Sequence, residues 1–178
     1  NMFANVDLIE EISAGSEVAI PYHVALAQIM EAYTYISLVD YVGDVPYSQA
    51  NQFGDFPTPI LDAGEDVYAA QIALLDTAIA NLNQESAVIP QDLFYGSFDA
   101  DNWIAVANTL KLKAHLNMGN GGAISALLSE NIIDNDDEDF QFNYSTSTSP
   151  ESRSPIFQGN YPNGTGFYMS NGFLDMLN

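Results

Sequence analysis

Apolar positions fall into helical rows in three long stretches of this chain and lose their period between them. Over residues 21–42, Ala25, Ile29, Ala32, Ile36 and Val39 recur at alternating spacings of four and three, one face of an α-helix. Tyr22, Leu26, Tyr33 and Ile36 form an adjoining stripe, so this helix is predicted to pack between two neighbours. Pro21 suits a first helical turn and Gly43 a helix end. A second helix is predicted to start near Gly64 and run to about Asn83, with Tyr68, Ile72, Leu75, Ile79 and Leu82 as its main stripe and Val67, Leu74 and Ala78 widening it. Asp62 and Glu65 have the spacing of a capping box there. A third follows to about Met118, capped by Asp99 or Asp101, with Trp103, Val106, Ala107, Leu110 and Ala114 on its buried side. Shorter helices are predicted over 2–12 and 123–131, the latter after a stop at Gly119-Asn120-Gly121-Gly122, and another begins at 170.

Glycine and proline break residues 43–61 and 84–100 into loops, and from 134 to 167 the pattern fades into acidic, Ser/Thr and Gly/Pro/Asn/Tyr-rich runs. No stretch alternates as a strand would. The helix starts recur at about the period of helical-repeat proteins. The fold class read from this is all-α, stacked helix pairs with long functional loops on one side. One domain is expected, with a helical core over 2–131, a loop-rich segment over 132–169 and a further helix over 170–178.

Composition narrows the chemistry. Of 178 residues, 47% are apolar, enough to build a core and to exclude a disordered chain. Asp and Glu total 24 against 3 Lys and Arg, a net charge of −21. Nucleic-acid affinity comes mainly from cations displacing counterions, so no nucleic-acid partner is expected. Anionic membrane surfaces recruit basic clusters and are equally ill matched, while neutral polymers remain open. There is no cysteine, hence no disulfide, thiolate metal site or thiol nucleophile. No segment has the ~20 apolar residues of a membrane span. The first residue is Asn1 and the last ones resemble a helix cut short, so the chain is expected to be a piece of a longer protein.

Catalytic patterns are weak. With 24 carboxylates, pairs at glycosidase spacing arise by chance, and none sits in a signature. Ser16 and Ser97 follow glycines but lie in no nucleophile elbow. His23 and His115 lack the paired spacing of a metal helix and read as packing or surface residues. The glycine run at 119–122 follows a helix rather than a strand, which makes it a helix stop and not a phosphate cradle. The acidic run 134–139 lacks the glycine and distal glutamate of a calcium loop and reads as a solvated turn. No catalytic residue, metal or cofactor is expected.

Aromatic residues concentrate in the loops: Tyr47, Phe53, Phe56, Phe94, Tyr95 and Phe98 in the two interior ones, Phe157, Tyr161, Phe167 and Tyr168 in the late one. Sugars stack their C–H faces on such rings and bond their hydroxyls to Asn, Asp and Gln. About two-thirds of these rings are expected instead to anchor loops to helices.

The segment Asp40-Tyr41-Val42-Gly43-Asp44-Val45-Pro46-Tyr47-Ser48-Gln49-Ala50 resembles the D-Y-aromatic-G-D-V-P-Y-S-E-A stretch of SusD/RagB-type proteins. Asp62 and Tyr68 are similar to that family's entry to its next helix, and Leu74, Leu75, Ala78, Ile79 and Leu82 to the stretch that follows. Tyr95-Gly96 with Trp103, Ala107, Asn108, Leu110 and Lys111 resembles its Y-x-G-D … W-x-x-x-A-N-x-L-K-x-R signature. Val42, Gln49, Ser97 and Lys113 depart from it, Lys113 standing where the family has Arg. The resemblance implies a tetratricopeptide-like scaffold and a non-enzymatic lipoprotein on the extracellular face of the outer membrane. It implies oligosaccharide or polysaccharide binding and delivery to a SusC-like TonB-dependent transporter. The lipid anchor it implies is absent from this chain. A non-sugar nutrient such as a peptide, a helical-repeat protein–protein adaptor and an acidic hydrolase are the other readings. Within the resemblance, Gly43 and Pro46 shape a turn, Trp103 fills a helix interface, and Lys111 or Lys113 is expected to pair with a carboxylate of 40–44. Ligand contacts are expected in the late loop, with Tyr161 and Tyr168 as stacking platforms and Asn160 and Asn163 as hydroxyl partners.

Overall fold

The computed structural model describes residues 2–15, 19–52, 54–149, 151–160 and 176. Its helices are α1 Met2–Gly15, α2 Pro21–Val42, α3 Gly64–Leu82, α4 Ala100–Asn117, α5 Gly121–Leu127 and α6 Pro155–Asn160, with a 3-10 turn at Asp136–Glu138. Among the described residues the only β pairing is two isolated bridges, Val45 with Asp62 and Thr148 with Glu151. The chain divides into two compact units, Asn1–Phe140 and Gln141–Asn178.

In the first unit, α2 is central and packs against α1, α3 and α4; of its second predicted stripe Ile36 is buried and Tyr22 and Leu26 pack on the core, while Tyr33 is 42% exposed. Ala25, Ile29, Ala32 and Ile36 are wholly buried, and the alanines let neighbouring helices approach closely. From α3, Val67, Leu75 and Ala78 face them with no exposed surface, and α4 contributes Trp103, Val106 and Ala107. A fully buried aliphatic side chain of this size stabilises by roughly 1.5–3 kcal/mol, so this layer is the main source of stability. Asp99 caps α4, its carboxylate accepting from the Asp101 amide at 3.0 Å. Of the two candidate caps, the tertiary fold uses the first.

Three details differ from the pattern-based expectation. The α3 cap is Ala63, whose side chain accepts nothing, and Asp62 is engaged elsewhere. The short helix after α4 begins inside the glycine run and ends at Leu127, because Asn120 breaks the chain and caps the new helix through Ala123. The faded stretch after residue 133 is not wholly irregular. It holds the 3-10 turn, where Asn135 accepts from the Asp137 amide at 3.0 Å, and α6, which begins at a first-turn proline.

In the second unit, Ser145 and Ser152 close a small turn, the Ser145 amide donating to the Ser152 carbonyl at 2.9 Å. Arg153 folds back on Glu151 through two guanidinium contacts, at 2.9 and 2.7 Å. The helix expected over 170–178 lies outside the described residues, Met176 excepted, which is helical.

Candidate functional site

The segment after α2 is shaped by a glycine and two aspartates. Gly43 leaves the helix at φ +81°, a left-handed conformation that costs a residue with a Cβ. Val45 then pairs with Asp62 in an antiparallel bridge, with N–O distances of 3.2 and 2.9 Å. That bridge brings the Asp62 carboxylate under the next turn, where it accepts from the Tyr47 amide at 2.9 Å, the Ser48 amide at 2.8 Å and the Ser48 hydroxyl at 2.7 Å. These three donors hold the Asp62 carboxyl below the usual carboxylate range, the Ser48 hydroxyl foremost. Asp44 in turn accepts from the Gly64 amide at 3.0 Å and so satisfies the start of α3.

This pinned turn presents a cleft of about 300 Å³ between α2 and the loop, lined by Glu31, Tyr35, Tyr47, Ser48, Asn51 and Gln52 and closed by Ala50. Polar atoms dominate its wall. Tyr47 meets Tyr35 edge-on, ring centres 4.9 Å apart. Burial, with the Glu31 and Asp62 charges adding to it, pushes the Tyr47 phenol above its ordinary range, so it stays a neutral hydroxyl. Asn51 sits at φ +62°, the sole non-glycine residue with positive φ among those described. Asn tolerates this conformation best among residues with a Cβ, and held strain of this kind gathers at ligand sites. The Gln52 amide donates to the Ser48 carbonyl at 3.1 Å and fixes the far side of the loop. A carboxylate, two amides, a hydroxyl and two phenols thus face one small space. That set can exchange hydrogen bonds with a polyhydroxy ligand and offer ring surface to its C–H face.

The other signature residues build scaffold. Lys113 pairs with Asp40 at 2.5 Å, the pairing expected for one of the two lysines, while Lys111 pairs with Asp76 at 2.6 Å. Asp40 also accepts from the Tyr68 hydroxyl at 2.5 Å and from Asn117 at 2.6 Å. Burial raises the Asp40 carboxyl, but the Lys113, Tyr68 and Asn117 donors outweigh it and the net shift is downward. Trp103 is 1% exposed and its indole N–H donates to Asp92 at 2.7 Å. Asp92, itself buried, also accepts from the Phe94 and Tyr95 amides at 2.8 and 2.9 Å, tying the 84–100 loop to α4. Locally Asp92 is only a turn aspartate holding the Phe94 and Tyr95 amides, and its Trp103 partner stands on the next helix, where no local pattern points to it.

Most of the described interior-loop rings are anchors. Phe94 stacks on Phe140 at 4.4 Å and meets Trp103 edge-on, and Phe98 stacks on Tyr22 at 4.8 Å. Tyr95 lies edge-on to Trp103 and donates to the Glu138 carbonyl at 3.0 Å. Burial, with Asp92, Glu138 and Asp139 nearby, pushes its phenol up to about 12. Phe56 is more exposed, at 36%. Phe53, Tyr161, Asn163, Phe167 and Tyr168 lie outside the described residues. Asn160 is described only as the last residue of α6. The second unit has its own hollow of about 400 Å³, lined by Tyr144, Ser145, Thr146, Arg153, Ser154 and Phe157. Among the described residues no three His, Asp or Glu side chains converge as a metal site, and the acidic run 134–139 is largely exposed.

Residues 2–178 match a SusD-like family described as starch-binding and associating with the outer membrane. Among solved structures, a SusD homolog from Bacteroides fragilis is 25% identical, with a TM-score of 0.74 over 98% of this chain and 38% of its own. A SusD/RagB family protein from Bacteroides thetaiotaomicron is 26% identical, with a TM-score of 0.65 over 82% of this chain and 32% of its own. A chitin-binding SusD homolog from Flavobacterium johnsoniae is 21% identical, with a TM-score of 0.66 over 83% of this chain and 32% of its own. The chain therefore spans well under half the length of these relatives. No curated protein sequence matches it.

Proposed function

Because this chain belongs to the SusD-like family, we propose that it forms part of a non-catalytic glycan-capture protein and grips a neutral oligosaccharide in the cleft of the 47–52 loop. The observation that carries this reading is the convergence of Glu31, Tyr47, Ser48, Asn51 and Gln52 on one polar space, on a loop that Asp62 holds in place. A preformed loop binds without the cost of ordering itself first, which matters for a ligand whose hydroxyls must each leave water. The Ser48 hydroxyl beside the Asp62 carboxylate is spent, with two backbone amides, on holding the loop, and capture is the chemistry this arrangement favours.

The wider role is part of the same proposal. The protein sits on the extracellular face of the outer membrane through a lipid anchor and passes its ligand to a SusC-like TonB-dependent transporter. At 21% identity the chitin-binding homolog supports the fold alone, and it makes chitin oligosaccharide a reasonable probe. The late segment remains a second source of contacts, with Tyr161 and Tyr168 stacking and Asn160 and Asn163 bonding hydroxyls.

Titration of the full-length protein with a panel of neutral oligosaccharides tests the reading. Asn51→Ala combined with Gln52→Ala is expected to weaken binding about tenfold, the scale of one or two lost hydrogen bonds. Unchanged affinity removes this cleft as the site. Replacing both Tyr161 and Tyr168 with Ala is expected to cost a few kcal/mol, the scale of aromatic hot spots. If that pair has no effect, the late segment plays no part.

A further inference from the structure

Where α2 and α4 both end, the first unit carries an open hollow of about 820 Å³. Gly43 and Met118, which cap the two helices, line it, and so do Gly64 and Glu65 at the start of α3. The C-terminal end of a helix carries about half a negative charge, and two such ends meet here. The last turn of α2 has no basic residue to offset its share. The positive end of α3 is already answered by acids: its Gly64 amide donates to Asp44 at 3.0 Å, and Glu65 and Asp66 stand in its first turn. An amide hydrogen bond leaves the charge of Asp44 in place. Among the described residues the lining holds two carboxylates, Asp44 and Glu65, and no lysine or arginine.

The surface around this acidic hollow is apolar. Tyr41, on the last turn of α2, is 87% exposed, and Val42, Ile60 and Leu61 are each more than half exposed. The Val45–Asp62 bridge and the close approach of Gly43 to Gly64 set these two stretches of chain side by side. Exposed apolar groups gathered beside charged ones mark an interaction surface. From this juxtaposition we infer that the shared end of α2 and α4 docks a protein partner, which seats a lysine or arginine in the hollow and lays apolar side chains on Tyr41 and Leu61. The inference rests on the capture-and-delivery reading and assigns the face to its transporter. A basic side chain from outside supplies the charge the hollow lacks, since Lys111, Lys113 and Arg153 are each already in an ion pair. The apolar rim supplies the contact area that holds the complex once charge has steered it together. An anionic lipid surface would meet the same carboxylates with the wrong sign.

The test uses the full-length protein and its SusC-like transporter, both in detergent, with affinity measured at low and at high salt. Tyr41→Ala is expected to weaken binding about tenfold or more at either salt, the scale of an aromatic hot spot. Glu65→Gln should weaken it about threefold at low salt and Glu65→Lys about tenfold, and both losses should shrink at high salt. Glu85→Lys makes the same change of net charge beyond the far end of α3, and should shift the affinity by less than about twofold. Oligosaccharide titration of each variant should match the unmodified protein, which separates a docking loss from a folding loss. Transporter affinity untouched by Tyr41→Ala and Glu65→Lys, or lost equally in Glu85→Lys, overturns the inference. So does a Glu65→Cys thiol that resists maleimide in the free full-length protein, because the rest of that protein would then cover the face. Binding to phosphatidylcholine vesicles that Tyr41→Ala abolishes would give the face to lipid and overturn it likewise. If the unmodified protein binds the transporter and only the variants fail to weaken it, the delivery reading stands and the docking face alone falls. If it binds glycan but no transporter, both fall.

Discussion

Asp62 accepts three donors from two residues, two backbone amides and one hydroxyl. Replacing it with Ala frees the Tyr47 and Ser48 amides and unpins the loop that forms the cleft. The expected cost is about 1 kcal/mol, the lower end for charge-assisted bonds because solvent reaches the site. Limited proteolysis should then cut within residues 44–62 sooner than in the unmodified protein, since a loosened loop is the first backbone a protease can seat. An unaltered cleavage rate would show that the bridge alone holds the turn. The lowered Asp62 and Asp40 carboxyls also set a pH dependence. Their folded pKa values lie below the unfolded ones, so the unfolded chain takes up protons first as pH falls. Their contribution is intact above the ordinary Asp range of about 3.9 and is lost as pH drops through the lowered folded values. The Tm difference between the unmodified protein and Asp62→Asn should therefore be constant near neutrality and shrink below about pH 4. Asp62 was visible in the sequence as an acid three residues before Glu65, which fits a helix cap. Its real partners stand on the preceding turn, and only the Val45 bridge brings them to it.

Helix packing rests on close approach at one point. A Cβ on Gly64 would lie 2.9 Å from Val39 Cγ1 and 3.4 Å from the Gly43 carbonyl oxygen. Val39 is 6% exposed and belongs to the core, so it cannot swing away freely. Gly64→Ala is expected to destabilise by about 1 kcal/mol, the overpacking cost less the helix gain of alanine. Chemical denaturation reads this as a lower midpoint, and a rise would mean that α2 and α3 have room to spare. The element boundaries that sequence periodicity placed well, α2 and α3, are those where apolar stripes end at a glycine or a proline-rich loop. The boundary it misplaced is α5, where one asparagine inside a glycine run stops one helix and starts another. Glycine tracts mark a break without saying on which residue the next element begins.

At the scale of the whole molecule, 24 acids against 3 bases means that self-repulsion opposes folding. The ion pairs at Asp40, Asp76 and Glu151 are too few to offset it. Added sodium chloride is expected to raise Tm by a few degrees, because screening relieves many repulsions and weakens few attractions. A Tm that falls with salt would show that the pairs at Asp40, Asp76 and Glu151 outweigh the field. The same field makes neutral or cationic ligands the compatible ones, which ties the composition to the proposed site.

Periodicity marked the chain as all-α, α2 as a helix with neighbours on two faces, and many of the side chains that enter the core, because burial of a helical face leaves its mark at every third or fourth residue; it put Tyr33, 42% exposed, on a buried stripe and passed over the buried Gln28, Tyr35 and Gln71. Trp103 and most of the loop rings were legible as anchors for the same reason: large rings must be covered. What only the tertiary structure decided is which polar groups meet. The cleft around Tyr47 and Asn51 joins residues of α2 to a loop nearly twenty residues later. Asp62 and Asp92 act on partners whose nearness depends on the chain's path through space. Hydrogen bonds are short-ranged and directional and carry no period, so their pattern cannot be read along a line.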